Sequence, residues 1–172
     1  MRNSRESLRR CSVRSSGKLR ILLDSTYILP IVGVEVEGLR EALAALRELR
    51  RERRAKFYYT PFNILEVLGK IAKLDYDASI VAAGLSAIEE ELELTYPTVE
   101  GYLKALELRR RGFRDLIDLL LYATAVTRGL LLLTRDECLI QFLESRGESV
   151  ESILSEEELL SMTRRERPAE ES

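Results

Sequence analysis

Two short, mostly apolar runs, each closed by an aspartate, constrain this chain more than any other feature. Leu19–Leu23 runs into Asp24, and residues 130–133 run into Thr134-Arg135-Asp136. Both runs are too short for a helix. They read as central strands buried on both faces, the pattern of a parallel sheet covered by helices.

The intervening sequence supplies those helices. After Asp24-Ser25-Thr26, three N-cap candidates, a helix is expected from Tyr27 with Pro30 in its first turn. Gly38 opens a helix predicted to reach about Arg53, with Leu39, Leu43, Leu46 and Arg50 on one face. The segment KFYYT (56–60) is strand-like. Pro61 starts a helix whose apolar face is read as Ile64, Leu65, Leu68, Ile71 and Ala72. Helices at 77–91, 98–110 and 113–128, a strand at 92–96, a stop at Gly129, a helix to about Ser145 and an edge strand at 150–154 complete the pattern. Alternating strands and helices predict an α/β fold with a mainly parallel sheet of four or five strands and right-handed crossovers.

At 172 residues the chain has the length of one domain. Residues 1–18 read as a mobile basic tail, 19–154 as the folded unit, and 155–172 as a charged tail that is either a short helix or disordered. The most apolar stretch, 116–126, is broken by Asp118 and falls short of the roughly 20 residues a membrane span needs. No apolar segment follows the basic N-terminus as in a secretory signal, so a cytoplasmic location is expected.

The chain has no histidine. Ser-His and Cys-His nucleophilic mechanisms are therefore excluded, and proton transfer falls to carboxylates or water. The two cysteines, Cys11 and Cys138, form no CxxC pair, which argues against zinc. Cys138 reads as a small buried hydrophobe.

Carboxylates in apolar settings are the informative residues. Asp24 and Asp136 end the two strands, on the edge where open parallel sheets gather ligands. Each is read equally well as a helix N-cap. Asp118 has leucine and isoleucine neighbours, and an uncompensated carboxylate there is costly, so a cation is expected nearby. Arg114, four residues earlier, is the bland candidate. Asp115 lies closer to the helix start, where the dipole favours it. Glu66, between Leu65 and Val67, alone reads as a surface glutamate. Together the four form an all-oxygen donor set suited to Mg2+ or Mn2+.

In this order the pieces resemble a PIN domain, the ribonuclease fold of VapC toxins and related RNA-processing nucleases. ILLDST is similar to the opening strand and aspartate. TPFNILEVLGKI carries Glu66. DLLLYATAVTRGLLLLTRD resembles the closing aspartate, alanine-containing helix, glycine, strand and T-x-D. The resemblance covers about residues 19–152. It implies a three-layer α/β/α sandwich and a Mg2+- or Mn2+-dependent endoribonuclease in which Asp24, Glu66, Asp118 and Asp136 hold the metal and act on RNA. Thr134 then orders the last loop, and Asp115 at most assists. Homodimerisation and a small antitoxin are the partners it implies. The longer Arg-rich helix and the two tails depart from the compact toxin pattern.

Basic residues are read by their spacing. In the run 47–56, Glu48 and Glu52 interleave with the arginines, so an ion-pair face is preferred to an RNA patch. Arg109, Arg110, Arg111 and Arg114 lack close acids before Asp115 and are the expected phosphate contacts. Tyr58, Tyr59 and Tyr122 are read as core rather than base-stacking residues. Two other classes stay open. One is a non-catalytic module that binds RNA or protein. The other, ranked last, is a phosphoacceptor or haloacid-dehalogenase-like phosphatase using Asp24, which has Thr26 where that class needs a second aspartate.

Overall fold

The computed structural model describes residues 17–164. The expected tail at 1–18 lies almost wholly outside these residues, as does the last part of 155–172. The elements run β1 (Leu19–Leu23), α1 (Ser25–Ile28), a 3-10 turn (Leu29–Val32), α2 (Arg40–Arg51), β2 (Ala55–Tyr59), α3 (Pro61–Ile71), α4 (Ala78–Glu91), β3 (Glu93–Leu94), α5 (Val99–Arg110), α6 (Leu116–Arg128), β4 (Leu131–Leu133), α7 (Glu137–Ser145), β5 (Ile153–Leu154) and α8 (Glu156–Arg164). The sheet order is β3-β2-β1-β4-β5. Every strand pair is parallel, with Ile21 opposite Phe57 on one side and Leu131 on the other.

Side chains alternate across this sheet, as a two-residue period requires. Ile21, Leu23, Phe57 and Tyr59 face α1 to α4 and α8, whereas Leu22, Tyr58 and Leu132 face α5, α6 and α7. The result is the three-layer α/β/α sandwich expected from the sequence. Tyr58, Tyr59 and Tyr122 are all buried in it. No helix among the described residues is long and apolar enough to cross a membrane.

Several boundaries shift for local reasons. The first helix starts at Ser25 rather than Tyr27, then tightens into the 3-10 turn at Pro30, which has no N–H to continue an α-helix. Helix α2 stops at Arg51 because Arg53 takes φ +55°, turning the chain into β2. In α3 the buried positions are Asn63, Val67 and Ile71, while Leu65 and Leu68 are exposed. The expected apolar face was therefore rotated, because a polar residue, Asn63, occupies the inward position. Cys138 is likewise exposed rather than buried, since Leu139 and Leu143 take the inward face of α7.

Of the two alternatives for the C-terminal segment, residues 156–164 form a helix. Leu159 is fully buried in the core and α8 packs on α2. At Gly84 in α4, a Cβ would stand 2.3 Å from the Ile31 carbonyl oxygen, so only glycine lets this helix approach the 3-10 turn. Gly84→Ala is expected to destabilise by about 1–3 kcal/mol, and Leu159→Ala by about 2–5 kcal/mol. Thermal or urea unfolding measures both. An unchanged midpoint for Leu159→Ala would show that α8 does not belong to the cooperative unit.

Candidate metal centre

The strand order reverses direction between β1 and β4, so their carboxyl ends open a crevice where the two crossovers diverge. Asp24 and Asp136 stand at its two sides. Strand pairing continues past the ends of the strands, with the Asp24 N–H donating to the Leu133 carbonyl at 3.1 Å. The buried Thr134 hydroxyl then donates to Asp24 Oδ2 at 2.8 Å and accepts from the Asp136 N–H at 3.1 Å. One side chain thus ties the two strand-end aspartates together.

The capping alternatives now separate. Asp24 occupies the N-cap position of α1 but makes no side-chain capping bond, and its carboxylate turns to Thr134 instead. Asp136 does cap α7, through Oδ1 to the Leu139 N–H at 3.1 Å. Asp115 is exposed and caps α6, accepting from the N–H groups of Ile117 and Asp118. Its structural role is complete without any ligand.

Asp118, one turn into α6, is half-buried. No ion pair joins it to Arg114 among the described residues. Burial, followed by the charges of Asp115, Asp24, Asp136 and Glu66, pushes its carboxyl up to about 8. Asp24 is raised as well, chiefly by burial and further by Glu66, with the Thr134 hydrogen bond opposing. Charges from four separate segments therefore act on the Asp118 carboxyl. Glu66, on α3, is one of them. The Ser25 hydroxyl donates to Glu66 Oε2 at 2.6 Å, while Lys70 Nζ pairs with Oε1 at 2.7 Å.

Among the described residues, no three acidic side chains already stand in the arrangement of a closed metal site. Glu66 is paired with Lys70, and Asp24 accepts from Thr134. The donor set nonetheless suits a hard divalent cation, being all oxygen, with one carboxyl that ionises only reluctantly where it stands.

The basic residues sort by their partners. Arg111 pairs with Glu148 at 2.7 Å and with Glu107, and donates to the Arg146 carbonyl. Arg109 donates to the Phe113 carbonyl across the α5–α6 turn. Arg110 and Arg114 are exposed. In the 47–56 run the ion-pair reading holds, though mostly with partners on other elements: Arg50 with Glu91, Lys56 with Glu93, and Arg54 with Glu52.

Sequence reading missed Ser25, Asn63, Lys70 and a support beneath the β4–α7 loop. Lys70 was visible as the i+4 neighbour of Glu66, and Asn63 as the third residue after the cap Thr60. The support was not visible. Tyr27 donates to Glu156 at 2.8 Å, and Arg135 pairs with the same carboxylate at 3.3 Å while also donating to the Glu37 carbonyl.

Residues 21–144 match the family model of the PIN domain. The chain belongs to the PIN domain family. Comparison with curated protein sequences gives no significant match. Solved structures with the same fold include VapBC2 from Rickettsia felis bound to a DNA fragment from its promoter, at 14% identity and a TM-score of 0.58, covering 80% of this chain and 98% of that one. PAE2754 from Pyrobaculum aerophilum is similar at 17% identity and a TM-score of 0.58, covering 86% and 97%. VapC20 from Mycobacterium tuberculosis, a sarcin-ricin loop cleaving toxin, is similar at 13% identity and a TM-score of 0.52, covering 76% and 97%. The PIN family is generally one of nucleases, and VapC20, described as a toxin, carries the same fold.

The Asp118 carboxyl gives the metal-free chain a distinct pH response. Between the ordinary aspartate value of 3.8 and about 8 the folded state binds more protons than the unfolded chain. Stability should therefore fall as pH rises across that window. Asp118→Asn is expected to flatten the fall and raise the unfolding midpoint in chelator above pH 8. A wild-type midpoint that does not decline between pH 5 and about 8 would contradict this.

Proposed function

We propose that the chain is a divalent-metal-dependent endoribonuclease that hydrolyses phosphodiester bonds of single-stranded or structured RNA. The observation that supports this reading is that the charges of Asp24, Glu66 and Asp136, near the crevice between β1 and β4, all raise the cost of ionising Asp118. These four carboxylates would hold Mg2+ or Mn2+, and the bound cation would activate water and offset charge developing on the phosphodiester during in-line displacement.

The protein's own part is placement. Thr134 fixes one oxygen of Asp24 and the backbone of Asp136. Asp115 acts from outside by setting the start of α6, and so the position of Asp118. An acidic crevice repels RNA, so cations are needed at its rim. Arg110 and Arg114, on either side of the turn into α6, are the proposed backbone contacts, with Arg109 holding that turn. The partners in this reading are an RNA substrate, a second copy of the chain in a homodimer and, if the chain is the toxin of a type II pair, a small antitoxin. The place of action is the cytoplasm.

A specific observation favours a second reading, that of a non-catalytic module binding RNA or protein. Lys70 already pairs with Glu66, and among the described residues no three acids stand as a closed metal site. Calorimetry separates the two, because a module of this kind takes up no Mn2+ at millimolar concentration.

RNA cleavage is expected with Mg2+ or Mn2+ and not with chelator. Asp24→Asn and Asp118→Asn should each lower turnover on the order of a hundredfold or more while the fold is kept. Full activity in both variants, or in chelator, overturns the nuclease reading. A second prediction concerns substrate: replacing Arg110 and Arg114 with alanine should weaken RNA binding and reduce the slope of log affinity against log salt by about 1–2. An unchanged slope would remove them from the interface.

A further inference from the structure

The side chains behind Glu66 form a chain of hydrogen bonds that points one way through the interior. Thr60, Asn63 and Ser25 are all fully buried. Asn63 Oδ1 accepts from the Thr60 N–H at 2.8 Å and from the Thr60 hydroxyl at 2.9 Å. Its acceptor oxygen is thereby fixed, and its amide nitrogen must face the opposite way. There it donates to the Leu23 carbonyl and to Ser25 Oγ, each at 3.2 Å. A serine hydroxyl carries a single proton. With Asn63 donating to its oxygen, that proton is directed onto Glu66 Oε2, at 2.6 Å.

Capping of α3 requires only the pairing of Thr60 with Asn63. It does not require the amide to reach the end of β1, nor a serine to be buried beside Asp24. The extra links run from the residue that starts α3 to the carboxylate that α3 carries, through the residue that follows Asp24. Each side-chain donor in the chain is used, so one Glu66 oxygen is held by the buried Ser25 hydroxyl while Lys70 holds the other from the surface.

We propose that Ser25 and Asn63 are positioning residues for Glu66, holding its carboxylate towards Asp24 before a cation arrives. The inference rests on the metal-binding reading above. It adds that the affinity of the site depends on a hydroxyl and an amide that need not touch the ion. Groups hydrogen-bonded to a metal-holding carboxylate orient it and raise its effective affinity.

The test is Mn2+ calorimetry on the full chain for wild type, Ser25→Ala, Glu66→Gln and the double variant, with unfolding followed in chelator. Ser25→Ala is expected to bind Mn2+ about tenfold more weakly with an unfolding midpoint near that of wild type. In the Glu66→Gln background the same change should cost nothing further, because the carboxylate it orients is gone. Asn63→Ala should match Ser25→Ala if it folds, and Ser25→Ala decides the matter if it does not. Wild-type affinity in Ser25→Ala, or an equal loss on top of Glu66→Gln, overturns the positioning role while leaving the metal centre intact. Absence of Mn2+ uptake by wild type overturns the metal centre itself, and the positioning role with it.

Discussion

The pairing of β1 with β4 at their carboxyl ends is the constraint on which the rest of the molecule depends. It lays side by side chain segments more than a hundred residues apart. The Asp24 N–H to Leu133 bond extends it, and the Thr134 hydroxyl closes it. A one-residue slip between these strands would put Leu22 and Leu132, now paired on one face, into opposite layers. It would also separate Thr134 from Asp24. The same register that packs the two layers therefore brings the two aspartates together.

Electrostatics then sets what the crevice can do. Without histidine anywhere in the chain, the acids there have no imidazole to share charge with. Ionisation of Asp24 and Asp118 is opposed by burial and by neighbouring carboxylates, most clearly at Asp118. The protein answers this locally with neutral donors, Thr134 and Ser25, and with one ammonium at the edge, Lys70. Neutral donors leave the net charge of the crevice in place. That is the condition under which a small, hard cation gains most from entering.

Much of the fold was legible because its signals are local. Apolar runs such as residues 130–133, the stop at Gly129 and the proline at the start of α3 each act within a few residues. The candidate acids were legible for the same reason, since each ends a strand or sits within an apolar helix. What was not legible depends on facing surfaces. The rotated face of α3 follows from where Asn63 finds partners at the end of β1. The exposure of Cys138 follows from which side of α7 meets the sheet. The commitment of Arg111 needs Glu148, which is 37 residues away. No periodicity within one segment encodes such pairings.

The last helix carries a consequence for the extent of the functional unit. Glu156 opens α8 and anchors both Tyr27, next to the first acid segment, and Arg135, inside the loop that bears the last acid. Burial and the adjoining Glu156 charge push the Tyr27 hydroxyl up, so it stays a donor across the physiological range. A protein trimmed after β5 would keep the whole sheet and every acid of the crevice. It would nevertheless lose the brace under two of its walls, and proteolytic trimming near residue 155 would loosen the crevice without cutting it.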